Sequence, residues 1–169
     1  MKLLLIALAL VLPLSASAFD FKGISIGGAS TPKQVLEKLG VKCGLGANEM
    51  QVCNGNVTIA RETAYMNLVI DRKGIVQRIS LSLSSSAFET VAPLLIEKFG
   101  TPTSTNRGEV QNWMGAKFEQ VSHLWKGENE VEVRYSKYAG VVDKSGLSFT
   151  TKKDRELQGK SRENPRGDI

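Results

Sequence analysis

Hydrophobic and polar positions along this chain predict a helix followed by strands, and the same order then occurs a second time. Apolar residues at helical spacing follow Thr31, which opens a capping-box sequence, and Gly40 stands where a left-handed C-cap is expected. A second capping-box sequence begins at Ser86 and predicts a longer helix that ends before Gly100. Pro93 lies past the first turn of that helix, so the helix either kinks there or begins its regular part later.

Strands are expected where apolar and polar residues alternate between turn-forming residues. Asn54-Gly55 is the dipeptide that best fits a type I′ turn, so a hairpin is expected there. Further turns are expected at residues 71–74 and 127–129, and a polar loop at residues 101–109. The predicted strands are residues 19–26, 50–53, 57–60, 64–70, 75–83, 117–125, 130–135 and 146–150.

This order of elements predicts an α+β fold, with an antiparallel sheet and helices packed on one face. Because each helix precedes about three strands, we expect two tandem helix-plus-three-strands units, residues 19–84 and 85–151. Together they form a single domain, residues 19–151. Residues 152–169 are charged and nearly free of apolar side chains, so a frayed helix that continues as a flexible tail is expected.

The first eighteen residues have the composition of a secretory signal peptide. Lys2 supplies a positive charge, residues 3–14 form an apolar run, and Ala16-Ser17-Ala18 is a small-residue cleavage site. A buried or membrane-anchoring helix is the alternative, but this run is too short to span a hydrocarbon core of roughly 30 Å. Cleavage between Ala18 and Phe19 removes 18 of 169 residues and, with Lys2, lowers the net charge from +5 to +4. The mature protein is therefore expected in the periplasm or outside the cell, without a stable membrane anchor.

Cys43 and Cys53 are the two cysteines of the chain. In an oxidising compartment, two cysteines this close in sequence usually form a disulfide, and we expect one here. A zinc site would need about four ligands, and the single histidine, His123, is distant in the sequence. A redox role would favour Cys-x-x-Cys spacing. No metal or other cofactor is therefore expected, and the modest positive charge without a basic motif argues against a nucleic-acid partner.

Three short sequences resemble those of a loose group of small exported proteobacterial and prophage-associated proteins of unknown role. They are Phe21-Lys22-Gly23-Ile24, the Cys43…Cys53-Asn54-Gly55 pair and Lys98-Phe99-Gly100-Thr101-Pro102. In topology, tandem helix-plus-strands units are similar to the β-lactamase-inhibitor-protein fold. A single unit is similar to the small outer-membrane assembly lipoprotein fold, from which the chain departs because Phe19 stands in place of the lipid-carrying cysteine. These resemblances imply an exported α+β protein and specify no active site.

Candidate catalytic groups are few. His123 on a strand is more typical of a structural residue than of a catalytic base. Glu128, Glu130 and Glu132 lie on or beside a predicted hairpin and are expected to face solvent, although carboxylates can pair in space for glycoside chemistry. We therefore expect a protein that is not an enzyme. A small envelope hydrolase that uses carboxylates or His123 is the alternative.

Four aromatic residues of the second half are the candidate partner-binding residues: Trp113, Trp125, Tyr135 and Tyr138. They belong either to the core or to an exposed sheet face, where aromatic residues serve as anchors for a protein partner. The favoured hypothesis is an exported module that binds another envelope or exported protein, as an inhibitor or immunity-type partner of an envelope hydrolase. A periplasmic ligand carrier or scaffold, with a pocket between helices and sheet, is a further alternative.

Overall fold

The computed structural model describes residues 19–163. The predicted signal peptide, residues 1–18, lies outside the described residues, as do residues 164–169. The helices of the described residues are α1 (Pro32–Leu39), α2 (Phe88–Phe99) and α3 (Lys152–Glu163). The strands are β1 (Asp20–Phe21), β2 (Ile24–Ser25), β3 (Lys42–Leu45), β4 (Gln51–Ile59), β5 (Glu62–Ile70), β6 (Val76–Ser84), β7 (Ser104–Gln111), β8 (Lys117–Lys126), β9 (Glu132–Ser136) and β10 (Lys144–Thr150).

Strands β3 to β10 form one antiparallel sheet in the order β3-β4-β5-β6-β10-β9-β8-β7, while β1 and β2 form a separate hairpin. The predicted α+β fold with an antiparallel sheet is thus confirmed. Two units follow each other along the chain, α1 with β3–β6 and α2 with β7–β10, so each has four strands instead of the predicted three. The last strands of the two units, β6 and β10, pair at the centre of the sheet. Across the sheet, the strands of the first unit therefore run in chain order from β3 to β6, and those of the second unit run in reverse chain order from β10 to β7.

The strands that the sequence did not indicate, β3 and β7, are the two edges of the sheet. Most of their residues are exposed, so neither strand alternates between apolar and polar positions. The loop predicted at residues 101–109 is wrong from Ser104 onward, because that segment is β7. In contrast, β6 was predicted from the alternation of Ile79, Leu81 and Leu83 with serines, and these three residues are buried.

The hairpin turn predicted at Asn54-Gly55 is wrong. Both residues lie inside β4, opposite Asn67 and Met66 of β5. The turn that joins these strands is at Ala60 and Arg61, whose φ angles are 51° and 68°. Gly55 is needed for another reason, because a Cβ there would lie 2.8 Å from Cγ1 of the buried Val41.

The first predicted helix start is confirmed and the second is wrong. Thr31 and Gln34 form the expected capping box before α1. Ser86 instead lies in a short 3-10 turn, Ser85–Ala87, and its hydroxyl bonds to that of Ser84, so α2 begins only at Phe88. Pro93 lies inside α2.

The hydrophobic core lies between one face of the sheet and the layer formed by α1, α2 and the β1–β2 hairpin. Val35 is the buried residue of α1, whereas α2 buries Phe88, Val91, Ala92 and Leu95. The sheet contributes buried residues from its central strands, among them Met66, Leu68, Ile79, Leu81, Val133, Leu147 and Phe149. The opposite face, which we call the outer face, carries Ser80, Ser82 and Asn67 together with Tyr65 and Arg78. Helices α1 and α2 pack on the inner face, as predicted.

The helix expected at the start of residues 152–169 is present, whereas the predicted continuation beyond residue 163 lies outside the described residues. Residues 152–163 form α3, and four ion pairs hold its first turn against the rest of the fold: Lys152 with Glu130, Lys153 with Asp71, Asp154 with Arg78, and Arg155 with Glu132. Asp154 is buried by these contacts. The low apolar content of the segment concealed this docking, because it depends on charged groups that lie far away in the sequence.

The predicted disulfide between Cys43 and Cys53 is confirmed, and it connects directly opposed residues of β3 and β4. Structural disulfides form in oxidising, extracytoplasmic environments, and this one indicates such an environment for the protein. Within residues 19–163, no helix has the length and hydrophobicity needed to cross a membrane.

Candidate functional site

The four aromatic residues predicted to bind a partner separate into two pairs. Trp125 and Tyr135 are core residues, with 2% and 0% of their surfaces exposed. Trp113 is 92% exposed, and Tyr138 is partly buried. Both residues line one surface cleft, which is described below. The prediction of one four-residue anchor surface is therefore wrong for Trp125 and Tyr135, which face the inner side of the sheet.

The surroundings of Trp125 and Tyr135 are those of structural residues. Trp125 lies edge-on to Phe99, and its indole Nε1 donates a hydrogen bond of 2.8 Å to the carbonyl oxygen of Gly100. The ring of Tyr135 stacks on Phe88 at 4.8 Å. Burial raises the pKa of the Tyr135 hydroxyl to about 12, although the hydrogen bond with Ser145 opposes the shift. Both aromatics fasten α2 and the segment after it to the sheet.

Trp113 stands on the tight turn that joins β7 to β8, and side-chain bonds hold this turn in one shape. The Asn112 carboxamide oxygen accepts hydrogen bonds from the backbone N–H groups of Met114 and Ala116, at 3.1 and 2.9 Å. The Gln111 carboxamide donates to the carbonyl of Gly115, whose φ of 85° suits glycine. The indole of Trp113 is thus displayed to solvent on a rigid support.

A cleft of about 310 Å³ lies beside this turn, between it and the β9–β10 loop. Tyr138 packs edge-on against Phe118 at 5.8 Å, and the Gln120 carboxamide bonds to both the N–H and the carbonyl of Tyr138. Met114 and Val141 add large exposed apolar surface, at 68% and 57% exposure. We call Trp113, Met114, Tyr138 and Val141 the apolar tip.

Sequence reasoning identified two residues of the apolar tip and missed Met114 and Val141. The sequence did contain a signal for Met114. Trp113-Met114 is an apolar pair between the turn-forming residues Asn112 and Gly115, where a buried pair is not expected. Val141 carries no comparable signal, because the β9–β10 loop comes next to the β7–β8 turn only through the sheet order.

His123 occupies a structural environment on β8. Its Nδ1 lies 2.9 Å from the hydroxyl of Thr105, and its ring stacks on Phe88 at 5.7 Å. Partial burial, and next the nearby positive charge of Arg107, lower its pKa, so the imidazole is favoured in its neutral form. The hydrolase alternative stays a prediction.

The three glutamates considered for paired-carboxylate chemistry lie around the β8–β9 turn. Glu130 forms an ion pair with Lys152, and Glu132 with Arg155, so both contact α3. Glu128 is exposed on the turn. Among the described residues, no group of three or more histidine, cysteine, aspartate or glutamate side chains is arranged to hold a metal ion.

The predicted cleavage site falls at the boundary of the described residues. Ala18 lies outside them, whereas Phe19 is described, and its ring packs edge-on against Phe99 at 5.1 Å. The backbone carbonyl of Phe19 accepts a hydrogen bond from the N–H of Ile26. The residue predicted to begin the mature chain is therefore part of the packed fold.

A second cavity, of about 370 Å³, opens between α2, the β1–β2 hairpin and the β4–β5 turn. Its floor is apolar and includes Val91 and Phe149. Lys98 and Asp20 lie at its rim and form an ion pair of 3.1 Å. Burial alone would raise the pKa of Asp20, but hydrogen bonds from the Gly23 N–H and from Lys98 lower it on balance.

Comparison with protein-family models, curated proteins and solved structures gives no match to this chain. The resemblance to small exported proteins and to the β-lactamase-inhibitor-protein fold therefore stays a prediction.

Proposed function

We propose that this protein is an exported, periplasmic binding module that inserts its apolar tip into the cleft of another envelope or exported protein. The observation that carries the proposal is the 92% exposure of Trp113 on a turn held by Asn112. Contiguous exposed apolar patches mark interaction sites, and tryptophan is among the residues most enriched at the positions that dominate binding energy. The partner class that fits is an envelope hydrolase, whose active-site cleft a protruding turn would block.

Rigidity of the turn is the physical reason for choosing this surface. Because the Asn112 hydrogen bonds already fix the backbone, a partner would not have to order it on binding. Met114 and Val141 add exposed apolar surface to that of Trp113, and Tyr138 lines the same cleft as Trp113 and Val141. The outer sheet face, by comparison, mixes polar side chains such as Ser80 and Asn67 with single exposed residues such as Tyr65.

The periplasm is the proposed compartment. The disulfide supports an oxidising environment, and the predicted signal peptide with its cleavage site before Phe19 supports export. Detection of the protein without residues 1–18 in a periplasmic fraction is the expected result, whereas full-length protein in the cytosol would contradict the proposal.

The test of binding is site-specific photo-crosslinking in cells that export the protein. A photoreactive phenylalanine analogue replaces Trp113 in one variant and Tyr65, an exposed aromatic residue of the outer face, in the control. We expect a discrete protein adduct from position 113 and none from position 65. Trp113→Ala should weaken binding of the purified partner at least about tenfold. Absence of an adduct at 113, or equal adducts at both positions, would contradict the proposal.

The cavity beside α2 favours a second candidate function, that of a ligand carrier. Its size of about 370 Å³ and its apolar floor are within the range of small-molecule sites. A panel of lipids and glycans should then raise the melting temperature, since a ligand stabilises by RT ln(1 + [L]/Kd). Filling the cavity by Ala60→Trp should abolish that shift without affecting crosslinking at Trp113.

A further inference from the structure

The outer edge of β7 is the longest unpaired backbone edge of the sheet. β7 runs from Ser104 to Gln111 and pairs only with β8, whereas the opposite edge strand, β3, runs only from Lys42 to Leu45. Most side chains of β7 are exposed, and α2 does not cover them. An edge of this length is a template for pairing with another strand.

The register of the β7–β8 hairpin shows which backbone groups of β7 are free. The N–H of Asn112 donates to the carbonyl of Ala116, so the backbone of Asn112 faces β8. Residues of an antiparallel strand alternate between facing one neighbour and facing the other. Even-numbered residues of β7 therefore bond to β8, and the N–H and C=O groups of Thr105, Arg107, Glu109 and Gln111 point outward.

The sequence of β7 is complementary to itself about Gly108. If a second β7 pairs antiparallel with a two-fold axis at Gly108, Arg107 lies opposite Glu109 of the second copy, and Glu109 opposite its Arg107. Both residues point their backbone groups outward, so each pair can exchange two hydrogen bonds. An axis at Arg107 or at Glu109 would instead place two like charges opposite each other, which destabilises a sheet.

Gly108 suits the position on the axis. The residues at the axis would form a non-hydrogen-bonded pair, in which opposed Cα atoms come to about 4.5 Å and side chains are closest. Nothing lies within 4 Å of a Cβ built on Gly108, so its surroundings in one copy are open. Two glycines facing each other therefore meet without a clash.

We propose that β7 pairs with β7 of a second copy of this chain, which joins the two eight-stranded sheets into one continuous sheet with two-fold symmetry. Within one copy, Arg107 pairs with Glu119 at 2.7 Å and Glu109 with Lys117 at 2.9 Å, both diagonally, because Glu109 lies directly opposite Glu119. The second copy gives Arg107 and Glu109 each a directly opposed partner of opposite charge. The proposal goes beyond the proposed function, because the two apolar tips would lie at opposite ends of the joined strands.

The test is a charge-swap series measured by sedimentation equilibrium over a range of protein concentrations. The wild type should dimerise. Arg107→Glu and Glu109→Arg should each weaken dimerisation at least about tenfold, because each puts like charges opposite each other twice. The double variant R107E/E109R should recover the wild-type constant to within about threefold, and an equimolar mixture of the two single variants should form heterodimers.

Two further variants separate edge pairing from folding. Glu109→Pro removes an outward N–H that makes no bond to β8, so it should abolish the dimer and leave the circular dichroism spectrum unchanged. Lys33→Glu reverses an exposed charge on α1 and should have no effect on dimerisation. A monomeric wild type at about 1 mM, or failure of the double variant to recover, would overturn the proposal. Neither result would affect crosslinking at Trp113, so the two proposals can fail separately.

Discussion

The two tryptophans of this chain should respond differently to truncation. Trp125→Ala removes a buried ring and its hydrogen bond to Gly100, and should reduce the free energy of unfolding by about 3–5 kcal/mol. Trp113→Ala removes a ring that is 92% exposed and should change it by less than about 0.5 kcal/mol. Urea unfolding followed by circular dichroism measures both. Similar losses for the two variants would mean that Trp113 is also structural.

Gly55 should tolerate no side chain, although it lies in a regular strand. A methyl group there would approach Cγ1 of Val41 to 2.8 Å, so Gly55→Ala should cost about 1–3 kcal/mol. Gly44→Ala on the neighbouring strand is the matched control, because nothing lies within 4 Å of its Cβ position. The double variant with Val41→Ala should lose less stability than the sum of the single changes. A neutral Gly55→Ala would contradict this account.

Residue identity alone could not divide the aromatic residues into core and surface. Trp125 follows Val121 and His123 at every second position of a strand, a pattern that favours burial. Trp113 instead lies between Asn112 and Gly115, which favour a turn. These local patterns separate the two tryptophans. Which face of the sheet Tyr138 occupies depends on pairing with β8, which the sequence does not state.

At the scale of elements, the docking of α3 depends on the charge of Asp71. Its carboxylate accepts hydrogen bonds from the N–H groups of Lys73 and Ile75, from Gln77 and from Lys153. Burial alone would raise the pKa of Asp71, but Lys153 and the backbone donors lower it below its ordinary value. The folded state therefore favours the ionised form. The resulting stabilisation is complete above the unfolded pKa of about 3.9 and is lost as the pH falls through the lower folded value.

Asp71→Asn should therefore release α3 at neutral pH. We expect faster hydrogen exchange in residues 152–160 and a loss of about 2 kcal/mol in unfolding free energy. The loss of stability between pH 5 and the acid limit should also become smaller than in the wild type. Asp143→Asn, a change at an exposed aspartate, is the control and should alter neither quantity. Unchanged exchange in α3 would show that the ion pairs of Lys152, Asp154 and Arg155 hold the helix without Asp71.

Elements with a buried face were predictable, and elements without one were not. The sequence indicated β5, β6 and α1, because alternation or capping residues act locally. The edge strands β3 and β7 have almost no buried residues, so hydrophobic pattern carries no information about them. The turn predicted at Asn54-Gly55 was wrong for a related reason. The local turn preference of this dipeptide is overridden by contacts distant in sequence, since Gly55 pairs with Met66 of β5 and packs closely against Val41.

At the scale of the molecule, the two units share one core and should not fold separately. Phe21 of the first unit packs against Phe149 of the second, and β6 pairs with β10 along its length. Fragments 19–84 and 85–169 should each lack a cooperative thermal transition. Mixed in equal amounts, they should form a one-to-one complex that melts cooperatively. A cooperative transition of either fragment alone, measured by circular dichroism, would contradict a shared core.

The α+β class could be predicted from the order of elements, but the arrangement of strands could not. Helix-then-strands repeated twice leaves few alternatives to an antiparallel sheet under two helices. The units could join through their first strands or through their last strands. In the structure the last strands, β6 and β10, pair, with Leu147 opposite Leu81. Neither leucine differs in type from residues of the other strands, so the sequence does not indicate this choice.

Among residues 19–163, β7 is the one sheet edge that is open for association over eight residues, which sets an upper limit on assembly. The other edge, β3, covers part of the longer strand β4 and is fastened to it by the Cys43–Cys53 bond. In two molecules joined at β7, the β3 strands would form the two outer edges of the joined sheet. Growth would stop at a closed pair instead of continuing into an open fibre. Each end of the joined sheet would then be a strand of four residues, Lys42–Leu45, which offers little backbone for another strand to pair with.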